Sequence, residues 1–142
     1  MKNKVIIGTF PISGDLGFRD LKSVSETLSA CISNGFYSFD TAPNYGSGFS
    51  ENCLGKIKIN SVDLTFYTKF GNSLDGQKNF SSEALISSLK GSLKRLRTDR
   101  VEAVFLHNPR GVEYHHHRHR ELFASLKEKG WVKFSGLSPA KG

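Results

Sequence analysis

Three ionisable residues of different character, Asp40, Lys69 and His107, each follow a stretch rich in β-branched and aromatic residues. The segments between them are long enough for one βα unit each, so the three residues occupy equivalent positions at the ends of successive predicted strands. Parallel strands direct their carboxyl ends to one face of a sheet, and we expect the three side chains to converge there. A single ionisable residue at the end of a strand usually has a structural role. A carboxylate, an ammonium and an imidazole together indicate a functional site.

A glycine-containing loop follows Asp40 and carries a fourth candidate, Tyr45. Gly46 and Gly48 allow this loop to turn sharply, because glycine adopts backbone conformations that other residues avoid. The loop is therefore predicted to return Tyr45 over the face on which the other three side chains converge.

Strand and helix patterns that could position these residues alternate along the whole chain. Predicted strands cover residues 5–10, 36–39, 64–68, 101–106 and 131–135. Helical spacing of apolar residues covers residues 21–32, 50–58, 81–96 and 122–130, with Ser50 as the predicted N-cap of the second helix. This alternation predicts an α/β fold with a parallel sheet and one domain over residues 1–142.

Two architectures fit the alternation. A five-stranded doubly wound sheet closes at about the length of this chain, 142 residues. A (β/α)8 barrel needs about 250 residues, so the chain would supply only its first five strands and four helices. Length alone favours the doubly wound sheet.

Composition and charge exclude several classes of protein. With 37% hydrophobic and 23% charged residues the chain is globular, and it has neither an apolar run long enough to span a membrane nor a signal-peptide pattern. Cys31 and Cys53 form no disulfide framework, which indicates a reducing, cytoplasmic setting. The net charge of +7 favours anionic partners. The densest basic cluster, at residues 90–100, fits a solvated helix end, and we predict no nucleic-acid binding.

The segment from Asp40 to Gly55 resembles the aldo-keto reductase family. Its Asp-Thr-Ala, two residues, Tyr-Gly, then Ser-Glu and Leu-Gly follow the family pattern. The resemblance continues through Thr68-Lys69, Leu106-His107 and Gly136-Leu137-Ser138, and so covers nearly the whole chain. It implies a TIM-type (β/α)8 barrel, here truncated on the C-terminal side after about five βα units.

The resemblance also implies that Asp40, Tyr45, Lys69 and His107 form a catalytic tetrad that reduces an aldehyde or ketone. In that arrangement Tyr45 delivers a proton to the carbonyl oxygen while a nicotinamide cofactor supplies a hydride. The Lys69 ammonium would favour the phenolate of Tyr45, and Asp40 would hold that ammonium in place. His107 would orient the carbonyl by a hydrogen bond. No metal is required.

For the cofactor, NADPH, the resemblance implies contacts from Gly8, Thr9, Asp40 and Ser138. The family usually has Asn after this serine, whereas Pro139 stands here. The family binds the cofactor phosphates with segments after the sixth and later strands, which lie beyond this sequence. The glycines at positions 8, 14 and 17 do not form a GxGxxG fingerprint that could replace them.

Two further groups of residues complete the sequence-based expectations. The histidine-rich run at residues 114–120 is predicted to be a solvated loop without a metal. The phenylalanines at 36, 39, 66, 105 and 134 are predicted to belong to the core, whereas Phe10, Phe49 and Phe70 could line a substrate pocket or simply pack.

The sequence thus predicts an NAD(P)H-dependent oxidoreductase acting on a small carbonyl substrate, with a non-catalytic half-barrel or regulatory subunit of the same fold as the alternative. For the chain alone we expect self-association, or pairing with a missing C-terminal half-barrel, because five strands leave edges open. The face near Val132 and Phe134 should be poorly covered.

Overall fold

The computed structural model describes residues 5–17, 20–57, 63–114 and 116–139. Its sheet contains five parallel strands, each beside the strand that precedes it along the chain. The strands are Ile7–Gly8 (β1), Ser38–Asp40 (β2), Thr65–Phe70 (β3), Val101–His107 (β4) and Val132–Ser138 (β5).

This strand order decides between the two architectures. A doubly wound sheet reverses its winding direction at a switch point, whereas the order β1-β2-β3-β4-β5 runs in one direction throughout the described part of the chain. Continuous winding in one direction is the arrangement of a (β/α)8 barrel. The partial barrel is confirmed, and the doubly wound alternative is wrong.

Four helices connect the strands. They are Leu21–Ser33 (α1), Phe49–Lys56 (α2), Ser82–Leu96 (α3) and His116–Glu128 (α4). The side chains of Asp20 and Ser81 cap α1 and α3 by accepting the backbone N–H of Ser23 and Ala84. The predicted N-cap of α2 is wrong. Gly48 takes this position in a left-handed conformation (φ 87°), so the helix begins one residue before Ser50. Its predicted end, Lys58, lies outside the described residues.

The helices cover one face of the sheet. Side chains of alternate strand residues point towards them and are fully or almost fully buried, namely Phe39, Phe66, Phe70, Val104 and Leu106. They pack against the apolar faces of α1, α3 and α4, represented by Leu28, Leu89 and Leu126. The opposite, concave face carries the polar residues of the predicted site.

The prediction that five strand phenylalanines belong to the core is only partly confirmed, because the concave face is exposed. Phe39 and Phe66 are buried as predicted, but Phe36 and Phe105 are only half-buried and Phe134 is 53% exposed. Phe134 pairs in register with Ala103 on the concave face, where no described residue covers it. Val132, expected to be poorly covered, is buried against the core instead. The exposed apolar side chain on the helix side of β5 is that of Leu137.

From His116 onward the histidine-rich run is helical, so the predicted solvated loop is wrong for this part. His117 and His119 belong to α4, and His119 is completely buried. Its Nε2 lies 3.2 Å from the carbonyl oxygen of Phe80, and its ring stacks on Tyr114 at 5.6 Å. His119 therefore connects the first turn of α4 to the entrance of α3. His115 lies outside the described residues.

Among the described residues, no helix combines the length and the apolar character needed to cross a lipid bilayer.

Candidate active site

A buried lysine forms the centre of the site. Lys69, in β3, is 5% exposed, and its ammonium donates to Asp40 Oδ2 at 2.7 Å and to the carbonyl oxygen of Thr41 at 2.9 Å. Asp40 ends the neighbouring strand and lies on the same face, because it pairs with Tyr67 two residues before Lys69. A buried ammonium is costly unless anions and carbonyl oxygens surround it. These two contacts fix its position.

Tyr45 approaches this lysine from the loop after β2. The Lys69 Nζ atom lies 4.9 Å from the centroid of the tyrosine ring, and the ring of Phe10 packs against the ring of Tyr45 at 5.1 Å in an edge arrangement. Gly46, Ser47 and Gly48 all have positive φ values, and this turn connects Tyr45 to α2. The phenol ring is thus held between a cation and an aromatic side chain.

His107, at the end of β4, completes the cluster. Its ring centroid lies 6.0 Å from that of Tyr45, and the residue is 7% exposed. Burial, together with the positive charges of Lys69 and Lys78, lowers the pKa of His107 from its ordinary 6.5 to about 4. The imidazole is therefore neutral at pH 7, with one N–H to donate and one nitrogen that can accept.

The loop after β1 and the first turn of α2 hold Tyr45 in place by contacts that the sequence does not reveal. The backbone N–H of Gly46 donates to Asp15 Oδ2 at 2.8 Å, and the hydroxyl of Ser13 donates to the same oxygen. The backbone N–H of Ser50 donates to the carbonyl oxygen of Tyr45 at 3.3 Å. No spacing rule links residues 15 and 46. The Ser-Glu of the family pattern, Ser50-Glu51, was the only signal for the contact at α2.

Four buried side-chain polar atoms of the described residues have no hydrogen-bond partner. They are Thr41 Oγ1, Asn44 Oδ1, Asn72 Oδ1 and His107 Nδ1. All four belong to the ends of β2, β3 and β4 or to the loops that follow them. Buried polar groups without partners are rare in native proteins and concentrate at functional sites. Their grouping marks this end of the sheet as a place for a polar ligand.

The residues predicted to contact a cofactor lie at the same end. Gly8 ends β1 beside Asp40, and an added Cβ at Gly8 would meet no atom within 4 Å. Thr9 is completely buried, and its hydroxyl donates to the carbonyl oxygen of Asp40 at 3.0 Å. Ser138 ends β5 beside His107 and is half-buried.

The phenylalanines considered for a substrate pocket separate into two groups. Phe70 is completely buried and stacks on Phe123 at 5.9 Å, so it belongs to the core between β3 and α4. Phe49 is half-buried and packs on the core from α2. Phe10 is 40% exposed beside Tyr45 and is the aromatic residue placed to contact a ligand there.

The chain matches the sequence model of the aldo/keto reductase family over residues 4–141. It is 32% identical to "Aldo-keto reductase YhdN" of Bacillus subtilis (strain 168) over 118 residues, which cover 75% of this chain and 34% of the relative. It is also 32% identical over 96 residues to a rice (Oryza sativa subsp. japonica) protein named "Probable voltage-gated potassium channel subunit beta", with 63% of this chain and 29% of the relative covered.

Solved structures show the same fold. The aldo-keto reductase AKR11C1 from Bacillus halodurans, in its holo form, superposes with a TM-score of 0.83 over 97% of this chain and 46% of the relative, at 24% identity. The chain thus spans about a third of the length of these two curated relatives and about half of this solved structure. At this identity the superposition establishes the fold alone.

Proposed function

Because this chain belongs to the aldo/keto reductase family, we propose that it supplies the proton-donating part of a barrel that reduces an aldehyde or ketone to an alcohol with NADPH. Family membership supports an oxidoreductase role in general. The choice of NADPH and of a small carbonyl substrate is our proposal.

The observation that carries the proposal is the grouping of four side chains, with Asp40, Lys69 and His107 from three neighbouring strands and Tyr45 from the loop after β2. The ammonium of Lys69 contacts Asp40 at 2.7 Å and faces the ring of Tyr45 at 4.9 Å, with His107 beside the same ring. A phenol next to a fixed ammonium and a neutral imidazole is suited to donate a proton to an oxygen that gains negative charge.

Each residue has a role that follows from its contacts. Tyr45 donates its hydroxyl proton to the carbonyl oxygen of the substrate, and Lys69 stabilises the phenolate that remains. Asp40 holds Lys69 in place and compensates its charge. His107, neutral at pH 7, orients the carbonyl oxygen by donating an N–H. The nicotinamide cofactor, when bound, supplies the hydride that reaches the carbonyl carbon.

The donor set of this end of the sheet fits a nicotinamide. The carboxamide and ribose of such a cofactor carry donors and acceptors that match the unpartnered Thr41 and Asn44 oxygens. Gly8 leaves space for a close approach, and Ser138 presents a hydroxyl at the opposite edge. We propose Gly8, Thr9, Asp40 and Ser138 as the residues of this chain nearest the cofactor, with Thr9 acting by fixing the Asp40 backbone.

A cytoplasmic setting is part of the proposal. Cys31 and Cys53 are both free thiols, which is typical of a reducing compartment.

The rival function is that of a non-catalytic subunit. The relative named as a potassium channel subunit favours it, and so does the exposed apolar surface of β5. Only the proposed enzyme requires the arrangement around Lys69 to act on a substrate, so the two functions differ in an activity assay.

The test uses a chimera that joins residues 1–138 of this chain to the remaining C-terminal part of the B. subtilis relative, so that the barrel is complete. We expect NADPH-dependent reduction of short aldehydes, measured by the loss of NADPH absorbance. Tyr45→Phe removes only the hydroxyl and should lower kcat by at least about 100-fold, in line with the contribution of a general acid.

Tyr37→Phe is the matched control, because Tyr37 is an exposed tyrosine at the start of the second βα unit and should leave kcat unchanged. A folded chimera that binds NADPH and in which Tyr45→Phe keeps the parent rate would remove Tyr45 from its role. A folded chimera with no carbonyl reduction at all would favour the non-catalytic subunit.

A further inference from the structure

A buried ion pair joins α2 to α3 directly behind the site. Glu51, in the first turn of α2, is completely buried and accepts the Nε–H of Arg95, in α3, at 2.7 Å. The other carboxylate oxygen of Glu51 accepts the hydroxyl of Thr68 at 2.7 Å. Arg95 also donates to the hydroxyl of Ser92 at 3.3 Å. Both oxygens of the carboxylate are therefore hydrogen-bonded.

Three glycines provide the space for this arginine and its backbone. A Cβ atom at Gly48 would lie 3.0 Å from Arg95 Cδ, and one at Gly91 would lie 3.0 Å from Arg95 Nη1. A Cβ atom at Gly55 would lie only 2.0 Å from the carbonyl oxygen of Arg95, a clash that requires the helices to separate. Because these three residues are glycines, α2 and α3 can pack closely around the side chain of Arg95.

Stability alone does not account for such a pair. Replacing a buried ion pair with apolar residues of similar volume is often neutral or stabilising, because desolvation offsets the attraction between the charges. The best-attested use of buried polar pairs is to select one geometry among several packings. The two hydrogen bonds that the buried Glu51 carboxylate accepts, from Arg95 and from Thr68, define one position of α2 relative to α3 and β3.

That position determines where the site residues meet. Thr68 directly precedes Lys69 in β3, and the two side chains point to opposite faces of the sheet. Glu51 follows Ser50, whose N–H donates to the carbonyl oxygen of Tyr45. The ion pair therefore connects the back of the lysine strand to the segment that carries the tyrosine.

We propose that Glu51 and Arg95 are positioning residues, which through Thr68 and Ser50 fix the separation between the ring of Tyr45 and the ammonium of Lys69. The catalytic consequence rests on the proposed function. The geometric claim does not, and the experiment below measures geometry in the chain without substrate or cofactor.

The contact between Lys69 and the ring of Tyr45 can be measured by NMR. The lysine ammonium lies over the Tyr45 ring, so the ε-methylene protons of Lys69 should be shifted upfield by the ring current and should show a nuclear Overhauser effect to the ring. Tyr45→Phe keeps the ring and Tyr45→Leu removes it, which assigns both signals. We expect Glu51→Gln, in the folded protein, to lose at least half of the upfield shift and of the Overhauser intensity.

A pair of milder variants covers the case in which Glu51→Gln does not fold. Thr68→Val keeps the shape of the side chain but removes its hydrogen bond to Glu51, and should also reduce both signals. Thr68→Ser retains the hydroxyl and should restore them. Glu102→Gln breaks the exposed Lys133–Glu102 pair, whose atoms are 2.9 Å apart, and should leave both signals unchanged.

A purely structural ion pair would lower the free energy of unfolding in these variants while the folded molecules kept the parent contact. Parent signals in folded Thr68→Val and in folded Glu51→Gln would therefore overturn the proposal. In the chimera, kcat should fall in Thr68→Val with KM unchanged and recover in Thr68→Ser. Loss of the contact without loss of kcat would refute the proposed role of Tyr45 and leave the positioning claim intact.

Discussion

Burial of His107 should make the stability of this chain depend on pH in a predictable direction. In the folded state burial first, and then the charges of Lys69 and Lys78, lower the pKa of His107 to about 4, whereas the unfolded chain keeps the ordinary value of 6.5. Between these two values the unfolded chain binds a proton that the folded chain does not bind. The free energy of unfolding is therefore undiminished above pH 6.5 and falls as the pH is lowered towards 4.

The magnitude follows from the two pKa values. Each unit of difference corresponds to about 1.4 kcal/mol, so the loss between pH 7 and pH 5 amounts to about 2 kcal/mol from this residue. The charge of Lys78, which is exposed and donates to the carbonyl oxygen of Asn108, is screened by salt. The contribution of burial is insensitive to salt.

The assay is urea unfolding at pH 7 and pH 5, followed by the fluorescence of Trp131, the single tryptophan. In His107→Gln, which cannot titrate, the fall in unfolding free energy between the two pH values should be about 2 kcal/mol smaller than in the parent. His117→Gln is the matched control, because His117 is an exposed histidine of α4, and should behave as the parent does. An equal fall in the parent and in His107→Gln would refute this reasoning.

Three further predictions concern the site, the helix packing and the open sheet. Lys69→Met in the chimera removes the charge beside Tyr45; the rate of carbonyl reduction should fall by about 100-fold, and a parent rate in the folded variant would restrict Lys69 to packing. Gly55→Ala should lower the free energy of unfolding by about 2 kcal/mol or more in urea titrations, since its Cβ would meet the Arg95 carbonyl oxygen at 2.0 Å. Gly111→Ala, with no atom within 4 Å, should have little effect, and equal effects of the two would contradict the close packing. The isolated chain should self-associate at micromolar concentration by light scattering and bind NADPH weakly by fluorescence, and a stable monomer with micromolar affinity would contradict both expectations.

The order of elements was predictable because the hydrophobic period changes cleanly between strands and helices. The strand ends were less predictable. β3 extends to Phe70 and β4 to His107, so Lys69 and His107 are strand residues and not the first loop residues. The β-propensity of a charged residue is low, so it does not indicate that a strand continues through that residue. β3 continues through Lys69 because the charge of the lysine is compensated by Asp40 on the concave face.

The choice between the two architectures could not be made from length. A chain of 142 residues suits a complete doubly wound sheet, and only the strand order excludes it. The sequence likewise could not reveal that Phe134 lies outside the core. An aromatic residue in a strand normally packs into a core, but the concave face beside β5 has no covering layer among the described residues, so the ring remains 53% exposed.

Asp40, Lys69 and His107 could be predicted to lie together because parallel strands bring their ends together, which converts sequence spacing into proximity. The residues that hold Tyr45 follow no such rule. Asp15 reaches Gly46 across 31 positions, and Arg95 reaches Glu51 across 44. Both contacts depend on how loops and helices pack, and a single sequence contains no periodic signal for them.

The position of the site within the sheet explains why its geometry forms without further strands. Asp40, Lys69 and His107 lie on β2, β3 and β4, and each of these strands has a hydrogen-bonded neighbour on both sides. The open edges fall on β1 and β5. Val5 and Ile6, directly before β1, and Phe134 and Leu137, in β5, are exposed by 45% or more. Perturbation at the edges should therefore change association before it changes the contact between Lys69 and Tyr45. The geometry of the candidate site and the closure of the barrel are thus separable, and edge substitutions such as Phe134→Ser should reduce self-association while leaving the Lys69 signals in place.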